Sequence, residues 1–249
     1  MSAARLLVLG AAGRLGRHVV PLLRESGVEV LTPSRAELDA ADRRAIEVFL
    51  VEQRVDRCVS LVAATDVARC ERDVQYATQN PETAEAVARA CDWTGVESLF
   101  VSTDYVVPLL VGRRSNVYGA SKLVAEWSAR RHDARVLRVA FTTPEQCSRW
   151  QFVNAYTESN RAWVEDTARA LCEYALRDEW HEIAALCPPA TTFETLLRER
   201  FPQHAALDDR VLDAEAMRAR VGVASPQSTR FDLVHDHELV RHERTTCWS

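Results

Sequence analysis

Short apolar runs alternate with stretches of helical period along the first 140 residues. Residues 6–9 (Leu-Leu-Val-Leu) are continuously apolar, the pattern of a parallel strand buried on both faces. A helical pattern follows over 16–24, and 28–31 (Val-Glu-Val-Leu) reads as a second strand. Residues 42–53 are helical, with Ile46, Phe49 and Leu50 on one side. A third strand spans 58–62 and ends in the small residues Ala63 and Ala64. An alanine-rich helix is predicted over 82–90, a fourth strand over 98–101, a helix from 118 to about 131 and a strand over 135–139. Strands separated by helices predict an α/β fold, a doubly wound parallel sheet of Rossmann type with helices on both faces. Right-handed crossovers then bring the carboxyl ends of the strands, and any ligand, to one edge.

Beyond about residue 140 the pattern becomes irregular. Pro188, Pro189, Pro202 and Pro226 punctuate short helices expected at 192–200 and 213–221. No internal repeat or low-complexity linker interrupts the chain. The expected organisation is a domain over 1–140 and a small, trimmed lobe over 141–249 that is folded against it, with sheet elements interleaved.

Composition narrows the class. A chain of 249 residues that is 47% hydrophobic can bury a full core. A net charge of −5 gives no basic footprint for nucleic acid. No apolar run approaches the length of a membrane span. Arg5 before an apolar stretch imitates the start of a secretion signal, but the glycine turn, Arg14 and Arg17 interrupt it. The seven cysteines are scattered, odd in number and without C-x-x-C pairing, which predicts free thiols in a reducing cytoplasm. His235, His237 and His242 do not match known zinc spacings, so no metal is expected.

Two segments carry chemistry. Gly10, Gly13 and Gly16 stand three residues apart between the first strand and the first helix. Glycine permits the tight turn, lets backbone approach a pyrophosphate and lets helix pack close to strand. The helix start, including Arg14 and Leu15, offers amides and a positive dipole end to phosphates. Ala63 and Ala64, the small residues that end the third strand, are further cofactor-binding candidates. A carboxylate for ribose hydroxyls is missing where the second strand ends, in Thr32-Pro33-Ser34-Arg35. Ser34 and Arg35 suit a 2′-phosphate instead, and Arg14 adds a second positive group, so NADP (NADPH) is expected over NAD.

The second segment is Ser102-Thr103-Asp104-Tyr105 followed by Tyr118-Gly-Ala-Ser-Lys122. Tyrosine four residues before lysine on a helix places both on one face. An ammonium beside a phenol lowers its pKa, and such a phenol can pass a proton to or from a carbonyl oxygen. Ser102 and Thr103 end an apolar strand at the sheet's carboxyl edge. Neighbouring side chains on a strand face opposite ways, so one hydroxyl is expected in the site. A hydroxyl, a phenol and an ammonium around one carbonyl make a site for hydride transfer.

In these motifs the chain resembles the extended short-chain dehydrogenase/reductases, within them the dTDP-4-dehydrorhamnose reductase (RmlD-like) group. The resemblance also runs through Arg35-Ala-Glu-Leu-Asp39, Ala63-Ala-Thr-Asp-Val-Ala-Arg-Cys-Glu71, Trp163-Val-Glu-Asp-Thr-Ala168 and Ser225-Pro-Gln-Ser-Thr-Arg-Phe-Asp232. It implies reduction of a 4-keto group on a nucleotide-linked 6-deoxysugar by a nicotinamide cofactor. Tyr118 would protonate the alkoxide, Lys122 would lower the Tyr118 pKa and bind the nicotinamide ribose, and Thr103, favoured by the motif over Ser102, would donate to the carbonyl oxygen. It implies a nucleotide-binding domain over 1–140 and a substrate lobe over 141–249.

The chain departs from the group in two places. Only 106–117 separate the two catalytic motifs, with Val107-Pro108 where an aromatic and an acidic residue are expected. Little lies between Phe141 and Phe152. The substrate side is therefore trimmed. The leading reading is an NADPH-dependent ketoreductase on a nucleotide sugar. The alternatives are a reductase or epimerase on another carbonyl, and a non-catalytic NADP-binding regulatory subunit. A homodimer is compatible with each.

Overall fold

The computed structural model of the chain describes residues 4–147, 158–159, 161–187, 191–192 and 232–235. The core is a seven-stranded sheet in the order β11-β9-β5-β4-β3-β1-β2. Its strands are β1 (Arg5–Leu9), β2 (Glu29–Leu31), β3 (Arg57–Ser60), β4 (Glu97–Thr103), β5 (Arg135–Val139), β9 (Ile183–Cys187) and β11 (Asp232–His235). All neighbours pair in parallel except β11 and β9, which are antiparallel. Two short pairings lie outside this sheet, β6 (Phe141–Thr142) with β8 (Ala162–Trp163), and β7 (Glu158–Ser159) with β10 (Thr191–Thr192).

Alternation along the strands builds two layers of core. Leu6 and Val8 of β1 and Leu99 and Val101 of β4 pack with Val19 and Leu23 of α1 (Gly16–Glu25) and Leu171 of α8 (Val164–Ala175). On the opposite face, Leu7 and Leu9 meet Ile46 and Leu50 of α2 (Arg43–Glu52) and Val87 of α4 (Val74–Thr94). Phe100 continues that face against Ala84 and Ala88 of α4 and Ala125 and Ala129 of α6 (Val117–Arg130). The small residues at these positions let α4 and α6 approach the sheet and each other closely. Each fully buried leucine contributes about 1.5–3 kcal/mol of transfer free energy.

The remaining helices are short: α3 (Val67–Arg72), a 3-10 turn at Asp104–Val106, α5 (Val107–Leu110) and α7 (Pro144–Cys147). Asp42, Asp66, Asp73 and Asn116 cap α2, α3, α4 and α6 by accepting from a first-turn amide. No described helix is long and apolar enough to cross a membrane. The thiols of Cys58, Cys70, Cys91 and Cys172 are free and buried.

The strand and helix order through β5 agrees with the sequence pattern, with differences at element ends. Residues 61–62 leave β3, since the chain turns toward the cleft after Ser60. The helix expected at 82–90 is the middle of the 21-residue α4, which accommodates Pro81 in its interior. The sheet also extends past residue 140, because β9 joins β5 and β11 joins β9. Of the helix expected at 192–200, Thr192 belongs to the strand β10 and 193–200 lie outside the described residues. So do the helix expected at 213–221, Phe152, Pro188, Pro189, Pro202, Pro226, His237 and His242.

Candidate active site

The sheet order reverses at β1, which pairs with β2 on one side and β3 on the other. At the carboxyl edge of this reversal lies a cleft of about 580 Å³. Its lining includes every residue singled out as a candidate from the sequence: Gly10, Gly13, Arg14, Leu15 and Gly16; Ser34 and Arg35; Ala63 and Ala64; Thr103, Tyr118 and Lys122.

The glycine turn is dictated by close contacts. Gly10 has φ +83°, and a Cβ on it would meet the Leu61 backbone at 3.0–3.2 Å. A Cβ on Gly16 would lie 2.5 Å from the Gly10 carbonyl oxygen and 2.6 Å from that of Ala11. The turn is closed by Gly13 N donating to the Gly10 oxygen at 2.9 Å. It leads directly into α1, where Arg17 N donates to the Gly13 carbonyl at 3.1 Å and His18 N and Val19 N to that of Leu15 at 3.0 Å, so an anion would meet the positive end of the dipole at the turn itself, along Gly13, Arg14 and Leu15. Arg14 donates to Thr65 Oγ1 at 3.1 Å and so links this loop to the one after β3. This set of amides, dipole and guanidinium fits a pyrophosphate.

The wall formed by Ala63 and Ala64 is held from behind by Asn80, which is buried on α4. Ala64 N donates to Asn80 Oδ1 at 2.7 Å, and Asn80 Nδ2 donates to Ser121 Oγ at 2.9 Å. Asn80 thus ties the cleft wall to the helix that carries Tyr118 and Lys122. The N-terminus of that helix is fixed twice more. Asn116 Oδ1 accepts from Gly119 N at 2.7 Å, and Glu71 Oε1 accepts from Val117 N at 2.5 Å. Gly119 is needed where α6 meets the Tyr105 carbonyl, since a Cβ there would come within 2.5 Å of that oxygen.

Thr103 ends β4 at the sheet edge, as expected. Its hydroxyl donates to Asp104 Oδ1 at 3.0 Å and hydrogen-bonds toward Tyr118. Ser102 lines the cleft as well, and its buried hydroxyl makes no hydrogen bond among the described residues. Tyr118 is buried and meets the ring of Tyr105 edge-on, with centroids 5.5 Å apart and planes at 78°. Arg161 Nη2 donates to the Tyr105 hydroxyl at 2.7 Å. Burial raises the Asp104 carboxyl above its ordinary value, against the pull of the Arg161 charge.

The electrostatics depart from the sequence expectation that Lys122 lowers the Tyr118 pKa. Burial pushes the Tyr118 phenol up, and the nearby Asp104 carboxylate adds to this, while the Thr103 hydroxyl opposes it. The Lys122 amine turns away to donate to the Val101 carbonyl at 3.0 Å, under the Phe100 ring. Burial lowers it from 10.5 to about 7, with Glu126 acting in the opposite direction. Glu126 is itself paired with Arg138, Nε to Oε1 at 2.9 Å and Nη2 to Oε2 at 2.7 Å, deep under the site. The phenol therefore remains protonated at neutral pH.

The family model of the RmlD substrate binding domain matches residues 4–146. The chain belongs to this family. Among its relatives, a dTDP-4-dehydrorhamnose reductase of Streptomyces griseus is 36% identical over 132 residues, 49% of this chain and 43% of that protein. A probable low-salt glycan biosynthesis reductase of Haloferax volcanii, Agl14, is 32% identical over 159 residues, 54% of this chain and 52% of that protein. This RmlD-family chain spans about half the length of these curated relatives. The crystal structure of dTDP-4-dehydrorhamnose reductase from Bacillus anthracis in complex with NADP has the same fold, with a TM-score of 0.70 at 18% identity over 82% of each chain.

Sequence reasoning missed Asn80, Glu71, Gly119 and Arg161. Arg161 reaches the site from the segment before β8, a long-range placement with no local signal. Glu71 lies within a motif that carried the resemblance, but its role as acceptor for Val117 appears only once α3 and α6 are adjacent.

Proposed function

We propose that this chain is an NADPH-dependent ketoreductase acting on a nucleotide-linked 4-keto-6-deoxysugar, built like its dTDP-4-dehydrorhamnose reductase relatives. The convergence of Thr103, Tyr118 and Lys122 with the glycine turn in one cleft carries this reading. The loop after Gly10 and the start of α1 would hold the pyrophosphate. Arg35 would face the 2′-phosphate and Lys122 the nicotinamide ribose.

A bound NADPH supplies the hydride that adds to the carbonyl carbon. Thr103, whose one proton goes to Asp104 in this structure, would turn that O–H to the carbonyl oxygen and fix its position. Tyr118, a phenol and so protonated at neutral pH, gives its proton to that oxygen as negative charge develops there, and the product is an alcohol. Burial and Asp104 weaken the phenol as an acid, and a cation brought close to it would lower its pKa and favour the transfer. Lys122, once engaged by the ribose, restores positive charge beside the phenolate that remains. A donor already in position needs no reorganisation in the transition state, which favours catalysis.

In this reading residues 1–140 bind the dinucleotide, and residues 141–249 form the substrate lobe while also completing the sheet. The short segment between the two catalytic motifs makes the substrate the point to test. NADPH oxidation should be followed with a panel of nucleoside diphosphate 4-keto-6-deoxysugars and of simple ketones. The expected result is turnover with a nucleotide-linked sugar and none with the unlinked carbonyls. Turnover of simple ketones alone would favour a different reductase, and no turnover with any would favour a regulatory subunit.

A further inference from the structure

Among the described residues, two polar atoms that line the cleft are shielded from solvent and make no hydrogen bond, Ser102 Oγ and Gln146 Oε1. Buried polar atoms are almost always paired, so each calls for a partner brought by a ligand. A serine hydroxyl can donate or accept and says little about that partner. An amide oxygen only accepts, so the partner of Gln146 must bring an O–H or N–H. The segment before Gln146 fixes its position. Thr142 pairs with Trp163 in the β6–β8 ladder, and both are fully buried. The chain then turns at Thr143, whose hydroxyl and carbonyl accept from Gln146 N at 3.1 and 3.0 Å. The Gln146 side chain is half-buried, with its oxygen inward.

We propose that Gln146 is a specificity-determining residue, whose amide hydrogen-bonds the hydroxyl on the ring carbon next to the carbonyl being reduced. This rests on the keto-sugar reading above. The cleft follows the strand ends in sheet order: Arg35 after β2, the glycine turn after β1, Ala63 after β3, Thr103 at the end of β4 and Gln146 after β5. A dinucleotide laid from Arg35 to the nicotinamide position beside Tyr118 ends near β4. Gln146 therefore stands one strand past the reacting carbonyl, on the side left for the sugar ring. A ring hydroxyl supplies the donor that Oε1 lacks. It answers the amide turned end for end as well, since it also accepts. A ketone without that hydroxyl leaves the amide buried and unpaired. Gln146 lies in the shortened stretch after Phe141, where the chain departs from the dTDP-4-dehydrorhamnose reductase group.

The test compares two nucleotide-linked 4-keto-6-deoxysugars that differ only in the hydroxyl beside the carbonyl, with wild type and with Gln146→Met. NADPH oxidation gives kcat/KM for each sugar, and quenching of intrinsic fluorescence gives the NADPH affinity. Wild type should favour the hydroxylated sugar by about ten- to hundredfold, the range for leaving one buried polar group unpaired. Gln146→Met should reduce that preference to about threefold or less, the residue expected once the pairwise contact is gone. Its NADPH affinity should equal that of wild type. A purely structural role would slow both sugars alike and leave the ratio unchanged. The ratio is taken within one protein, so a loss of folded enzyme cancels from it, and Gln146→Ala carries the same comparison if Gln146→Met does not fold. Equal use of the two sugars by wild type, or a preference that survives the substitution, would overturn the proposal. So would a fall in NADPH affinity with the sugar preference unchanged, which would give the amide to the carboxamide of the nicotinamide. A wild-type chain that binds NADPH but reduces neither sugar would refute the keto-sugar reading itself, and this inference with it.

Discussion

Lys122 Nζ donates to the carbonyl of Val101 at 3.0 Å and sits 4.1 Å from the centroid of the Phe100 ring. Both partners belong to β4, so the strand that delivers Thr103 to the site also holds the lysine of the neighbouring helix. The cation is fully buried, with one carbonyl and a ring face in place of water. Its proton is correspondingly easy to lose, and the value falls from 10.5 to about 7.

A pH dependence of stability follows. Between about 7 and 10.5 the unfolded chain holds a proton on Lys122 that the folded chain has lost. The unfolded state then binds more protons, so this group makes stability rise with pH through that window. Lys122→Met lacks the effect. Urea unfolding at several pH values should show wild type gaining on Lys122→Met by about 1 kcal/mol per pH unit crossed. A constant difference between the two proteins would mean that Lys122 keeps its proton in the fold.

The Glu126–Arg138 pair gives a second expectation. Both residues are buried, at 1% and 3% exposure, and two hydrogen bonds join them. Glu126→Gln removes a carboxylate charge from the buried guanidinium and should cost about 3–5 kcal/mol. Replacing both, as in Glu126→Leu with Arg138→Met, should cost less than either single change. Equal or additive losses in chemical unfolding would contradict a mutual pairing.

Gly16 provides a third. A methyl group there has no room against the Gly10 and Ala11 carbonyl oxygens. Gly16→Ala should destabilise the chain by about 1–3 kcal/mol, the usual cost of forcing an extra group into a packed site. It should also weaken NADPH, because the amides of the turn are displaced. Thermal unfolding and cofactor titration of this one variant check both halves. An unperturbed variant would show that α1 can move off the turn without consequence.

Much of this architecture was legible because it is local. The run at Leu6–Leu9 with three glycines after it identifies β1, the turn and α1 from adjacent residues. The spacing of Tyr118 and Lys122 identifies one face of α6. The remainder depends on contacts between distant segments. The residues of β9, Ile183 to Cys187, are too short and alanine-rich to announce a strand, and their partners lie in β5 and in β11, far along the chain. Pro81 suggests a helix boundary, yet α4 runs through it. Asn80 gives no sign in the sequence that it bridges Ala64 and Ser121. The charge balance of the site was misread for the same reason. The spacing brings Lys122 to the face of Tyr118, but only the packed structure shows that its amine is claimed by Val101 while Asp104 faces the phenol.

The central claim is that Tyr118 gives the proton in carbonyl reduction. Tyr118→Phe removes the hydroxyl and keeps the ring that packs against Tyr105. The decisive measurement is the single-turnover rate of NADPH oxidation with the nucleotide-linked keto sugar that the wild type accepts, alongside the affinity of each protein for NADPH. The account expects the rate to fall by about two to four orders of magnitude in Tyr118→Phe, the range for loss of a general acid, with cofactor affinity preserved. A Tyr118→Phe protein that turns over at nearly the wild-type rate would contradict it.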